Sequence, residues 1–177
     1  MKTKNPFIIT FMHVIFMIVF IGLALAAGTM LTHYVISLFI GPEPQGPGGP
    51  SFGLGITNVY EYSLWNYHMF ASYILSIILL KTVMAYEVVA IFKHLDLNKP
   101  FQTKVVKKIR NIGYLAVMAG IISIFGNAHD NWLTKRGVEV AYDWDANEIL
   151  FFAGIIFVLG LIFKKGAEFQ SENELTV

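Results

Sequence analysis

The chain has 177 residues, of which 55% are hydrophobic and only 14% charged, against about 25% charged in an average soluble domain. A mean hydropathy of +0.59 beside a net charge of only +1 points to a membrane protein whose charges are segregated rather than spread. The absence of cysteine excludes disulfides, thiolate metal sites, cysteine nucleophiles and iron–sulfur clusters.

A helix needs roughly 20 mostly apolar residues to cross a bilayer core of about 30 Å. The first such passage, residues 7–40, reads "FIITFMHVIFMIVFIGLALAAGTMLTHYVISLFI". It follows "MKTK", and Ala24–Ala26 offers a small-residue cleavage pattern, so it resembles a signal peptide. The apolar run continues to Ile40, longer than a signal h-region, so an uncleaved first helix is expected. The next stretch, residues 41–61, holds four of the six prolines and reads as a surface loop. A second helix is expected over residues 62–95, interrupted by Lys81 and Glu87. Lys81 lies far enough along it to snorkel toward the nearer headgroups.

The segment "NKPFQTKVVKKIRNIGY", residues 98–114, is the most charged in the chain. Five of the thirteen Lys and Arg residues fall between Lys99 and Arg110, with no acidic residue among them. Val105, Val106, Ile109 and Ile112 recur at helical spacing there, with the cations mostly on the other side. Pro100 suits the start of a helix. The third membrane helix is therefore expected over residues 102–127, forming a helical hairpin with the second. An outer loop, 128–146, is acidic and aromatic, with a short strand or hairpin expected around Val138–Tyr142. The fourth helix is expected over 147–168, followed by a cytoplasmic tail, 169–177.

These elements give an all-α fold, one membrane bundle of four transmembrane helices. Lys2 and Lys4 precede the first helix, the basic segment joins the second and third, and Lys164 and Lys165 follow the fourth. Cytoplasmic loops hold Lys and Arg near helix ends, so both termini and the hairpin are expected in the cytoplasm. Trp65, Tyr67, Trp132 and Trp144 suit an outer interface belt. Gly22 with Ala26, Ala24 with Gly28, and Ala116 with Gly120 are small pairs suited to close helix packing.

Candidates for chemistry are few. His33, His68 and His129 fall near the outer ends of three helices, with Glu61 and Asp130 nearby, a set able to ligate a metal or, through two histidines, a haem. None of the three has an i, i+4 ligand partner. Lys81, Glu87 and His13 are the ionisable residues a transport pathway would use. Phe101, Lys104, Lys107, Lys108 and Arg110 form a surface for a cytoplasmic protein partner or anionic lipid. No nucleotide-binding or hydrolase fingerprint occurs, and the basic segment lacks the interleaved aromatics of a nucleic-acid site. No cofactor, enzymatic activity or nucleic-acid partner is expected; a homo-oligomer is left open.

Two passages carry a family resemblance. "LNKPFQTKVVKKIRNIGYLAVMAGIISI", Leu97–Ile124, resembles the middle of DUF2975, a family of small bacterial membrane proteins, in its Pro-Phe turn, basic helix and Arg-x-Ile-Gly entry to a membrane helix. "FVLGLIFKKGAEFQSENELTV", Phe157–Val177, resembles that family's ending, with Gly-Ala-Glu-x-Gln and Leu-Thr-Val. The resemblance implies a four-helix fold in the bacterial cytoplasmic membrane and no established activity. Family members are often encoded beside small helix-turn-helix regulators, which implies a regulatory or sensing role. It supplies no active-site residues, and the proline-rich loop is not part of the pattern. The favoured expectation is thus a non-enzymatic regulatory or accessory protein acting through its cytoplasmic face. A metal- or haem-binding sensor and a small transporter or channel subunit are the alternatives.

Overall fold

A computed structural model describes residues 6–41, 54–95, 100–140 and 142–175. The expectations for Lys2, Lys4, Lys99, the centre of the proline-rich loop and the last two residues lie outside them. The described chain is helical: α1 (Pro6–Ile40), α2 (Thr57–Tyr62), α3 (Leu64–His94), α4 (Thr103–Thr134) and α5 (Ala146–Leu175). Four of these, all but α2, are long and apolar enough to cross a membrane. In lipid every backbone amide must bond within the protein, which leaves helices as the form for these runs. The chain is a multi-pass membrane protein.

Each long helix packs on its neighbours in sequence: α1 on α3, α3 on α4, and α4 on α5, with α2 laid against α3. Phe92 of α3 stacks near His13 and Phe16 of α1, and Phe101 packs on Phe163 of α5. The α3–α4 turn therefore lies at the same end of the bundle as the start of α1 and the far part of α5. Lipid is as apolar as leucine, so helices associate there through close packing rather than by escaping water. The face of α4 that meets α5 supplies this. Gly113 touches Ile156 and Phe157, and a Cβ at Gly120 would stand 2.5 Å from Leu150. Ala116, Ala119 and Ser123 of α4 are also fully buried.

Several expectations change. The small pairs of α1 do not mediate packing: Gly22 and Gly28 have nothing within 4 Å. Helix α1 touches α3 through other positions, among them Ala27, Phe20 and Tyr34, and turns most of its surface outward. The loop expected over 41–61 contains α2, whose Val59 is fully buried. Helix α4 runs to Thr134, beyond the expected end at residue 127. Helix α5 continues to Leu175, so residues 169–175 are helical rather than a separate tail. Its only glycine past Gly160 is Gly166, and Glu168 bonds Lys165 one turn back at 2.8 Å, which favours continuation.

No strand forms among the described residues near Val138. The reason is how α4 ends. Gly137 adopts a left-handed φ of +80°, its N–H donates to Thr134 O at 3.0 Å, and Val138 N–H donates to Leu133 O at 3.2 Å. These two bonds make a Schellman cap, completed by the buried apolar contact of Val138 with Leu133. The cap turns the chain inward and places Val138 in the core. Because Gly137 has open space around it, its role is purely conformational. Gly137→Val is expected to cost about 1–2 kcal/mol and Gly137→Asn much less, since asparagine tolerates this conformation. Thermal unfolding of both variants in mild detergent checks this.

Candidate functional site

The end of the bundle that carries α2 is an aromatic and polar cluster assembled from α1, α2, α3 and α4. Tyr67 is buried, and its hydroxyl donates to Ser37 Oγ at 2.6 Å, which in turn donates to Tyr34 O at 2.7 Å. Tyr34 Oη and His68 Nδ1 share a 3.2 Å hydrogen bond. On the other side of α3, His129 Nε2–H donates to Asn66 Oδ1 at 2.9 Å, and its ring packs 4.6 Å from that of Phe70. His68 and His129 are thus held by separate neutral partners. The structure does not bring His33, His68 and His129 together. No group of three His, Asp or Glu residues that could hold a metal ion occurs among the described residues.

Trp144 closes this end. It is 5% exposed and fills the notch left by Gly126, its ring in direct contact with the glycine. Its Nε1–H donates to Asp130 Oδ2 at 3.0 Å. Tyr142 packs on it at 4.6 Å. Burial pushes the Tyr142 phenol above the ordinary tyrosine range, with Asp145 and Asp143 adding to the effect. Beside this cluster an open cavity of about 440 Å³ is bordered by Asn58, Glu61 and Glu139.

Lys81 Nζ lies 3.8 Å from Asp145 Oδ2, so its side chain is turned toward the residue that precedes α5. Asp145 itself adopts a φ of +46°. The side chains are 36% and 46% exposed, so the pair is loose rather than locked. It ties α3 to the residue that precedes α5. Glu87 and His13 take other partners. Glu87 accepts from Lys108 Nζ at 2.8 Å and from Asn111 Nδ2 at 3.2 Å, and His13 stacks on Phe92.

The opposite end, at the α3–α4 turn, is built as a braced helical hairpin. The Glu87–Lys108 pair joins α3 to α4, with side-chain exposures of 14% and 22%. Phe101 packs 5.4 Å from Phe163 and sits against Gly166, where a Cβ would come within 2.5 Å of its ring. That glycine is required for the close approach. Of the five residues expected to form a partner or lipid surface, Phe101 and Lys108 face inward contacts, while Lys104, Lys107 and Arg110 are exposed. Lys107 and Arg110 share a stripe of α4 with Tyr114 and Met118, which are 54% and 52% exposed.

Helix spacing alone misses the Glu87–Lys108 and Asn66–His129 bonds. A signal for them exists in the hairpin register: both pairs are equidistant from the same point of the α3–α4 turn. Trp144–Asp130 and Lys81–Asp145 have no such signal, because a loop sets their geometry.

Among known proteins, the family model described as protein of unknown function (DUF2975) matches residues 55–177. The match takes in α2 to α5 and leaves out α1. No curated protein and no solved structure matches the chain.

Proposed function

The chain belongs to the DUF2975 family, and from that premise we propose that it is a non-enzymatic accessory or regulatory protein of the bacterial cytoplasmic membrane, acting through the end that carries its basic hairpin. The distribution of Lys and Arg supports a cytoplasmic location for that end. The observation that supports the reading is the braced hairpin. Helices α3 and α4, of 31 and 32 residues, are about 46–48 Å long at 1.5 Å per residue, some 15 Å beyond a bilayer core. The surplus stands at the membrane surface as a rigid post, held by Glu87–Lys108 and by Phe101 against α5. Lys93 and Lys104, exposed near its tip, are the contacts for an acidic soluble partner.

This end offers a fixed shape with exposed cations, which suits recognition: charge steers association, and a preorganised surface lowers its entropic cost. A photoreactive amino acid placed at residue 104 in cells should yield one discrete adduct with a cytoplasmic protein, and Lys93→Gln should weaken it. Adducts with lipid alone, or none, would remove the proposal.

A further inference from the structure

Along one side of α4 the chemistry changes in a fixed order. Lys107 and Arg110 come first, then Tyr114, then Met118 and other apolar residues, all exposed. Tyr114 meets Phe157 of α5 edge to face at 5.5 Å. Phe157 and Lys164 are seven residues apart, so they share a flank of α5, with Leu161 between them, 65% exposed. The α4–α5 groove therefore runs from three cations, through two aromatic rings, to an aliphatic track that enters the membrane span.

We propose that this groove is a binding site for one anionic glycerophospholipid of the adjoining leaflet. Its phosphate sits between Arg110, Lys107 and Lys164, and its glycerol lies at the level of Tyr114. One acyl chain follows the apolar track. Arginine recognises phosphate through two parallel N–H donors, which a water-facing lysine does not match. Tyrosine is the residue that favours the headgroup boundary. Charge complementarity selects an anionic lipid: α4 carries no carboxylate between Lys104 and Ala128. The acidic groups nearby are already engaged. Glu87 is held by Lys108 and Asn111. Glu168 is bonded to Lys165 at 2.8 Å and stands 3.9 Å from Lys164, leaving Lys164 66% exposed. The inference shares with the proposed function only the placement of this end at a membrane surface, whichever side that is.

The test is native mass spectrometry of the purified full chain in mild detergent, supplied with phosphatidylglycerol or phosphatidylcholine. Wild type is expected to retain phosphatidylglycerol about tenfold better. Arg110→Gln with Lys164→Gln should abolish that preference, and Arg110→Lys should keep part of it. Met118→Trp, which blocks the track without changing charge, should lower retention of both lipids. Lys93→Gln with Lys104→Gln, which bears on the protein partner, should leave lipid preference intact, so failure of one proposal is separate from failure of the other. Equal retention of the two lipids by wild type, or a preference that survives Arg110→Gln with Lys164→Gln, overturns the site.

Discussion

Trp144→Ala is expected to lower stability by about 3–5 kcal/mol, the range for truncating a large buried aromatic residue. The side chain is 5% exposed and packs on Phe70, Tyr73 and Tyr142. Its loss also leaves Asp130 without the indole donor that reaches it at 3.0 Å. The cost is large because one residue joins three elements: α3 through Phe70, α4 through Gly126 and Asp130, and the loop into α5. The same junction is tested from the other side by Gly126→Ala. The ring of Trp144 occupies the space a Cβ would need, and rigid aromatic atoms cannot swing aside as a flexible side chain would. Overpacking of this kind costs about 1–3 kcal/mol. Unfolding by sodium dodecyl sulfate, followed by circular dichroism, measures both. Wild-type stability in Gly126→Ala would show that the indole does not depend on this close approach.

Glu87→Leu is expected to cost about 1–3 kcal/mol. A fully buried pair broken on one side costs about 3–5 kcal/mol, because the remaining charge is left unpaired. Here the side chains are 14% and 22% exposed, so solvent recovers part of that loss. Asn111 also loses its acceptor. The double variant Glu87→Leu, Lys108→Met should return close to wild type, since apolar residues of similar size replace an ion pair with little penalty. The coupling between the two single changes, read in the same unfolding assay, is the decisive quantity. Strictly additive losses would mean that the bond does not brace the hairpin.

The two ends of the bundle are held by different polar contacts, and the difference follows from composition. Near the end that carries α2 the chain supplies Tyr34, Tyr60, Tyr67, Phe70, Tyr73 and Trp144. These rings fill the wide spaces between helix ends and carry polar edges that bond Ser37 and Asp130. Near the α3–α4 turn rings also meet, Phe92 with His13 and Phe16 and Phe101 with Phe163, and the Glu87–Lys108 bond adds an ionic brace. Helix α1 is outside both arrangements for most of its length. It meets α3 alone and lies outside the family match.

The sequence by itself determined the number of membrane helices and which passages form them. Length and hydropathy are local quantities, and lipid permits a run of that kind to do little else. It also determined the family, through the Pro-Phe turn, the basic helix and the ending of the chain. The tertiary structure decided which side chains meet. His68 and His129 bond different neighbours, Tyr34 and Asn66, because depth along a helix leaves its rotation open. Gly22 and Gly28 look like Gly120 in the sequence, but only Gly120 faces another helix. Lys81 pairs with Asp145, sixty-four positions away in the chain, because a capped turn at Gly137 and an indole in a glycine notch hold the loop where that contact is possible. Rotation and loop geometry depend on many residues acting together, and no local pattern encodes them.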